Sequence, residues 1–215
     1  MSDLVALIQD KASIDAIAQY LNSKTGAERE QEVNGLRRQS QAALFELAAD
    51  SPPIRLSHFV PEGTPDLKAV HHPGRNTIAT FSHFQRFEKR FAKQPGRADR
   101  VIGYNASNAF FVTPGYFVAY ETDASFVGDK SAEWAQRGGV VVDYHQVPDA
   151  AGPVPEGWPA IIPNSQGIQR LVYHNTRDFM RAVSPHVSVG RASVEDAKGD
   201  RVLDYWFTLV RQEPS

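Results

Sequence analysis

The sequence has no cysteine among its 215 residues. Disulfide bridges and thiolate metal ligands are therefore excluded, and nothing in the composition indicates an oxidising compartment. No stretch approaches the roughly 18 consecutive apolar residues that a membrane helix needs. The first residues also lack the basic and apolar segments of a secretory signal. We therefore expect a soluble, cytoplasmic protein with no membrane partner.

Motifs that would assign a reaction are missing as well. The Gly-x-Ser-x-Gly of serine hydrolases, the Gly-x-x-x-x-Gly-Lys-[Ser/Thr] phosphate loop and the dinucleotide-binding Gly-x-Gly-x-x-Gly do not occur. The seven histidines are scattered, without a cluster of carboxylates. His71 and His72 are adjacent, and neighbouring residues of an extended segment point to opposite sides. The sequence therefore predicts no metal site and no cofactor.

Charge is almost balanced over the whole chain but is segregated within it. The formal net charge is −2, which gives no general reason to expect nucleic acid or an anionic membrane. Between residues 68 and 100, however, eight basic residues stand against two acidic ones, Glu88 and Asp99. No aromatic residue interleaves the basic positions to stack on bases, so nucleic acid is not favoured as a partner. The basic residues are Lys68, Arg75, Arg86, Lys89, Arg90, Lys93, Arg97 and Arg100.

The first 50 residues have the pattern of an amphipathic helical hairpin. Apolar residues recur at helical spacing, Ser13 is a candidate N-cap, and Thr25 with Glu28 has the form of a capping box. Pro52 and Pro53 cannot continue a helix. Two uses remain open for this hairpin. It packs against the rest of the fold, or it presents a face to a partner helix.

Residues 51–100 predict a loop followed by a basic helix over 82–94. Ser82 and Gln85 have the form of a second capping box. The helix would place three phenylalanines on one stripe and four basic side chains opposite. The first reading is a solvated helix whose phenylalanines enter the core. The second is a docking surface for an anionic ligand, a phosphate-bearing molecule or an acidic partner. The two sets are Phe84, Phe87 and Phe91, and Arg86, Lys89, Arg90 and Lys93.

Residues 101–215 predict a sheet with one inserted helix. Strand-like runs occur at 101–105, 110–112, 116–120, 140–144, 186–194 and 203–210, and Pro114-Gly115 is expected to form a turn between the second and third. Nothing among the first four has the length of a crossover helix, so antiparallel pairing is expected. A helix is predicted from Ile168 to Val183. The predicted fold class is α+β: a single domain with an antiparallel sheet of about five to seven strands, packed by the N-terminal hairpin and two further amphipathic helices.

Six residues stand out as candidates for a site. Asp143 and His145 lie two apart on a predicted strand and would share a face, a pattern that can ligate iron or zinc or orient a general base. His174 lies four residues before Asp178 on the predicted helix, where an imidazole and a carboxylate can pair. Arg191 continues the apolar strand face of Val187 and Val189. The catalytic candidates are His145, Asp143 and His174, and the ligand-binding candidates are Arg191, Tyr116 and Arg177.

These observations favour a small-molecule-binding domain, with a metal-independent enzyme acting on an anionic or carbonyl-containing molecule as one form of it. The competing class is a non-catalytic interaction module. It would dock an acidic protein partner on the basic helix 82–94, or a partner helix on the N-terminal hairpin. An enclosed site lined by polar residues of the sheet would favour the first class. A filled core beside a flat basic face would favour the second.

Overall fold

The computed structural model describes residues 3–78, 85–106, 114–148, 152–166, 170–197 and 199–213. Eight strands form a closed barrel in which each strand pairs antiparallel with the next along the chain. The ring is closed by β1 and β8, which are also antiparallel. The strands are β1 (Val70–Asn76), β2 (Arg86–Gln94), β3 (Arg97–Ala106), β4 (Gly115–Glu121), β5 (Val140–Asp143), β6 (Thr176–Ser184), β7 (Val187–Asp196) and β8 (Gly199–Val210).

Within the described ranges, short helices precede the barrel and occupy two of its connections. None of the helices in the described ranges is both long and apolar enough to cross a membrane. The helices are α1 (Asp3–Gln9), α2 (Ile14–Asn22), α3 (Gly26–Asn34), α4 (Arg38–Leu47), α5 (Leu56–Phe59), α6 (Ser131–Arg137) and α7 (Arg170–Tyr173).

The closed barrel shows that the predicted α+β fold, an open sheet packed by helices, was wrong. The basic helix predicted over 82–94 is strand β2 from Arg86 onward, and residues 82–84 lie outside the described ranges. In β2, Lys89 and Phe91 are buried while Arg86 is exposed. This is the alternation of a strand, with a period of two. The spacing of the phenylalanines fits a helix as well. The lysine on the inner face also interrupts the alternation of apolar and polar residues by which a strand is recognised.

The helix predicted from 168 to 183 was also wrong for most of its length. Residues 168 and 169 lie outside the described ranges, α7 spans only Arg170–Tyr173, and β6 follows. The inner face of β6 looks into the barrel and its outer face is covered by helices. Each face carries both polar and apolar residues, so the strand lacks a simple alternation. On the outer face, the Arg181 guanidinium lies 4.0 Å from the centre of the Phe45 ring and donates to the Phe45 carbonyl at 2.8 Å.

Four short helices, rather than a two-helix hairpin, form the N-terminal part. The predicted caps are confirmed: Ser13 accepts from the amide of Ala16, and Thr25 and Glu28 form a capping box. The apolar sides of α1–α4 pack on the outer face of β6–β8 in one buried cluster. The packing use of this segment is therefore the one that the structure shows. The cluster includes Leu4, Ile8, Ile17, Leu21, Leu44, Val183, Val187, Val189 and Val210.

Inside the barrel, phenylalanines on one strand face glycines on the next. Gly103 pairs with Phe117, and Gly190 pairs with Phe207. A Cβ atom on Gly103 would lie 2.4 Å from the Phe117 ring, so only glycine leaves room for the aromatic side chain. Alternating large and small residues fill the interior of small barrels in this way.

The two ends of the barrel differ. At one end, here the plug end, α5 places the Phe59 ring against Phe91 at 4.8 Å and next to His72. The β2–β3, β4–β5 and β6–β7 connections are also at the plug end. The opposite end, here the loop end, carries the β1–β2, β3–β4, β5–β6 and β7–β8 connections, which follows from the up-and-down strand order. The plug end is therefore closed by the packed aromatic rings of Phe59 and Phe91.

Candidate functional site

A lysine lies inside the barrel. Lys89, on the inner face of β2, is 1% exposed. Its Nζ atom donates to Oδ1 of Asn105 at 2.9 Å, to Oδ2 of Asp178 at 3.1 Å and to the hydroxyl of Tyr144. An ammonium group has three donors, and each of them has an acceptor here. We call Lys89, Asn105, Tyr144 and Asp178 the inner polar cluster.

Barrel closure brings the inner polar cluster together from four strands. Lys89 and Asn105 are direct cross-strand partners in β2 and β3. Tyr144 follows the last residue of β5, and Asp178 is the third residue of β6. Each of these positions is near the loop end of its strand. The cluster therefore forms the polar end of an interior that is apolar toward the plug.

Aromatic rings surround the lysine. The Nζ atom lies 5.3 Å from the ring centre of Phe117, 4.9 Å from that of Tyr144 and 4.9 Å from that of Phe207. Phe87 is at 5.6 Å. A cation is attracted to the faces of such rings, and the interaction strengthens as water is excluded.

Burial changes the proton affinities of the inner polar cluster. Desolvation lowers the pKa of Lys89, and the nearby Asp178 opposes this change. Desolvation raises the pKa of Asp178, against the opposite effect of Lys89 and of a hydrogen bond with Tyr144. Both changes favour the neutral forms. A proton can therefore move from Lys89 to Asp178 at a smaller free-energy cost than in water.

Two further tyrosines contribute phenol groups beside the inner polar cluster. The Tyr173 ring stacks on Tyr144 with 5.1 Å between centres, and its hydroxyl is hydrogen-bonded to Asn105. Tyr205 lies on β8 next to Phe207. Burial raises the pKa of both Tyr173 and Tyr205, and Asp178 raises each further. The phenols therefore remain protonated at neutral pH and can donate hydrogen bonds.

Two predicted site residues meet on the outside of the barrel, in a second cluster. Asp143 and Arg177 are cross-strand partners in β5 and β6, with 3.4 Å between Oδ1 and Nε. Asp143 also accepts from the hydroxyl of Tyr120 at 2.8 Å, and Arg177 donates to Glu195 at 2.6 Å. We call Tyr120, Asp143, Arg177 and Glu195 the outer polar cluster. It is paired within itself, and the Arg177 guanidinium also covers the Trp134 ring at 5.0 Å.

The other predicted site residues are separated from one another. His145 is exposed, and its backbone amide donates to Asp143 at 3.0 Å. His174 lies in the turn before β6. On the outer face, the Tyr116 hydroxyl donates to the carbonyl of Pro159 at 2.5 Å. Arg191 covers the Trp206 ring at 4.8 Å and pairs with the exposed Asp204 at 3.3 Å, so its head group is at the surface.

The basic residues predicted to share one helix face do not share a surface. Lys89 points into the barrel, and Arg90 pairs with Glu88 at 2.5 Å on the outside. The Lys93 ammonium binds the backbone carbonyls of Pro61, Glu62 and Thr64. Only Arg86 of the four is exposed. A flat basic face is therefore absent from this part of the described chain.

A surface cavity of about 790 Å³ lies near the plug end, between the β2–β3 hairpin and α5. Several of its charged groups are already paired. Arg55 binds Glu121 and Asp123 at 2.8 Å each, and Arg100 binds Asp99. None of the residues of the inner polar cluster lines this cavity.

Sequence reasoning missed Lys89, Asn105 and Tyr144 as a site and named Asp178 only as a possible partner of His174 or Arg191. One signal was available: Lys89 lies two residues from Phe87 and two from Phe91, the spacing of one strand face. Among the described residues, no group of three or more His, Cys, Asp or Glu side chains could hold a metal ion. Comparison of the chain with protein-family models, with curated proteins and with solved structures found no match.

Proposed function

We propose that the protein binds a small molecule through the loop end of the barrel. A carbonyl or carboxylate oxygen of the ligand contacts Lys89 and Tyr144, and its apolar part lies against Phe87, Tyr205 and Phe207. The observation that carries the proposal is the fully buried lysine inside the barrel. The interior of an eight-stranded barrel is either filled by its own side chains or holds one small ligand.

The energetic cost of the inner polar cluster supports a role in binding. Removing a lysine and an aspartate from water costs several kcal/mol per ion, and apolar residues of similar volume often stabilise a core as well or better. The plug half of the same barrel is filled mainly by apolar residues such as Val70, Phe91 and Leu209, with the neutral ring of His72 among them. Stability alone therefore does not explain why the loop half is polar.

The hydrogen-bond donors in the barrel interior indicate which chemical group the ligand carries. An ammonium and three phenol hydroxyls can donate to oxygen, and aromatic rings enclose them, so an oxygen-bearing molecule with an apolar body fits this chemistry. Asp178 balances the charge of Lys89 at 3.1 Å, which favours a neutral carbonyl. A carboxylate would be accommodated when Asp178 takes up a proton, which its raised pKa favours.

The test is binding by chemically matched probes. Benzaldehyde, benzoate and benzyl alcohol share a ring and differ in the oxygen group. Thermal unfolding with each probe should show stabilisation by benzaldehyde or benzoate that exceeds stabilisation by benzyl alcohol. Mass spectrometry under native conditions should show a complex of one probe per chain, or a small molecule retained from the purification.

Two double variants locate the site. Lys89→Met with Asp178→Leu removes the inner pair as a unit, which avoids leaving one buried charge unpaired. It should abolish the response to the probes. Asp143→Leu with Arg177→Met removes the corresponding outer pair on β5 and β6. If the outer variant loses the response and the inner variant keeps it, the barrel interior is not the site.

A further inference from the structure

We propose that Lys89 forms a reversible imine with the carbonyl carbon of an aldehyde or ketone ligand. This inference rests on the proposed function, since the ligand has to enter the barrel before it reacts. It goes further, because it makes Lys89 a nucleophile, where binding alone needs only a hydrogen-bond donor.

The arrangement around Nζ supplies the groups that imine formation needs. Asp178 lies 3.1 Å from Nζ and can accept its proton. Tyr144 contacts both partners: its hydroxyl accepts from Lys89 and is hydrogen-bonded to Asp178. Lysines act as amine nucleophiles when a hydrophobic pocket desolvates them. Phe117 and Phe207, within 5.3 Å of Nζ, form such a wall.

The reaction is balanced without any further reactant. Lys89 transfers a proton to Asp178 and becomes a neutral amine. The nitrogen lone pair attacks the carbonyl carbon, the C=O π electrons move to oxygen, and Asp178 gives its proton to that oxygen, directly or through Tyr144. Asp178 then takes one proton from the positively charged nitrogen, which gives the neutral carbinolamine. Asp178 passes this proton to the hydroxyl group, the C–O bond breaks to release water while the nitrogen lone pair forms the C=N bond, and Asp178 takes the last proton from the nitrogen. One carbonyl and one amine thus yield one imine and one water, and hydrolysis reverses the step.

Lys93 on the same strand provides an internal control. Its Nζ atom also has three acceptors, at 2.6 to 3.2 Å, but all three are backbone carbonyls. A carbonyl oxygen of the backbone does not take up a proton at neutral pH. Lys93 is also partly exposed, so access alone would favour its reaction over that of Lys89.

The experiment traps the imine in the intact protein. The protein is incubated with benzaldehyde and sodium cyanoborohydride, and the sites that gain a benzyl group are mapped by peptide mass spectrometry. Because the imine needs the unprotonated amine, each unit by which a lysine pKa is lowered increases the reactive fraction about tenfold at neutral pH. We expect Lys89 to be modified before Lys93 and before the exposed Lys130. Equal or lower modification of Lys89 would overturn the inference.

Two outcomes separate this inference from the proposed function. Stabilisation by benzaldehyde without trapping at Lys89 would agree with the proposed binding site and would contradict the role of Lys89 as a nucleophile. Absence of both stabilisation and trapping would contradict both proposals. The variant Lys89→Arg keeps a cation beside Asp178 and cannot form an imine. It should lose the modification at position 89 while the exposed lysines are modified as before.

Discussion

At the scale of single residues, the pairing of Lys89 with Asp178 is the feature least expected from composition. Lysine and aspartate are almost never fully buried unless they are paired. Their atoms lie 3.1 Å apart with side chains 1% and 7% exposed. The ion pair cannot be recognised from the sequence around either residue, because the partners are 89 positions apart. Local patterns report helices and strands, whereas this pair depends on which strands the barrel brings together.

The first prediction is that the two residues are energetically coupled. Lys89→Met alone should lower the free energy of unfolding by about 3–5 kcal/mol, because it leaves Asp178 buried without its partner. Lys89→Met combined with Asp178→Leu should restore most of that loss, since neither charge then remains. Denaturant unfolding of the wild type, both single variants and the double variant completes the cycle.

Arg201→Gln is the matched control. Arg201 and Asp196 are 3.7 Å apart with side chains 61% and 39% exposed. Breaking such a pair should change the free energy of unfolding by less than about 1 kcal/mol. Additive effects of the two single variants at 89 and 178 would contradict the coupling.

At the scale of elements, the strands rich in aromatic and β-branched residues could be predicted, whereas β1, which falls in the predicted loop, and β2 and β6 could not. Antiparallel pairing among residues 101–105, 116–120 and 140–144 was predicted and is confirmed by the registers of β3, β4 and β5. β2 and β6 carry Lys89 and Asp178 on their inner faces, and both were predicted as helices. The residues of the proposed site are thus the ones that break the pattern of their strands, as is common at functional sites.

The second prediction concerns the contact between β3 and its neighbours. Gly103→Ala would place a Cβ atom 2.3 Å from the Arg90 carbonyl and 2.4 Å from the Phe117 ring. The backbone of β2 cannot move aside without disturbing the sheet. Overpacking of this kind typically costs about 1–3 kcal/mol, and the melting temperature should fall accordingly.

Gly63→Ala provides the comparison for that substitution. A Cβ atom on Gly63 meets nothing within 4 Å, so alanine should leave the melting temperature unchanged or raise it slightly. Equal effects of the two substitutions would show that the interior around Phe117 has room to adjust.

At the scale of the whole molecule, a buried histidine makes stability depend on pH. His72 lies inside the barrel, where its Nε2 atom is 2.9 Å from the carbonyl of Phe59, and it is 0% exposed. Burial lowers its pKa from 6.5 to about 3. Between these values the unfolded chain binds a proton that the folded chain does not bind. Stability is therefore complete above pH 6.5 and is lost as the pH falls toward 3.

The third prediction follows from that difference. His72 should contribute a loss of about 1.4 kcal/mol of unfolding free energy for each pH unit in this interval. His72→Gln keeps a donor for the Phe59 carbonyl and has no proton to gain. The slope of the unfolding free energy against pH should therefore decrease by the amount that corresponds to one proton. His71→Gln, on the outer face of the same strand, is the control. An identical slope in the wild type and in His72→Gln would refute the assignment.

The packing of α1–α4 on β6–β8 also determines when folding can be completed during synthesis. The helices leave the ribosome first, but their apolar sides meet Val183, Val187, Val189 and Val210 in the finished fold. The ring is likewise closed by β8, which pairs with β1 over 130 residues earlier in the chain. Translation therefore produces a chain whose first segment remains without its partner until the last strand has emerged. A nascent chain stalled before β8 would expose both the helices and the open edge of β1.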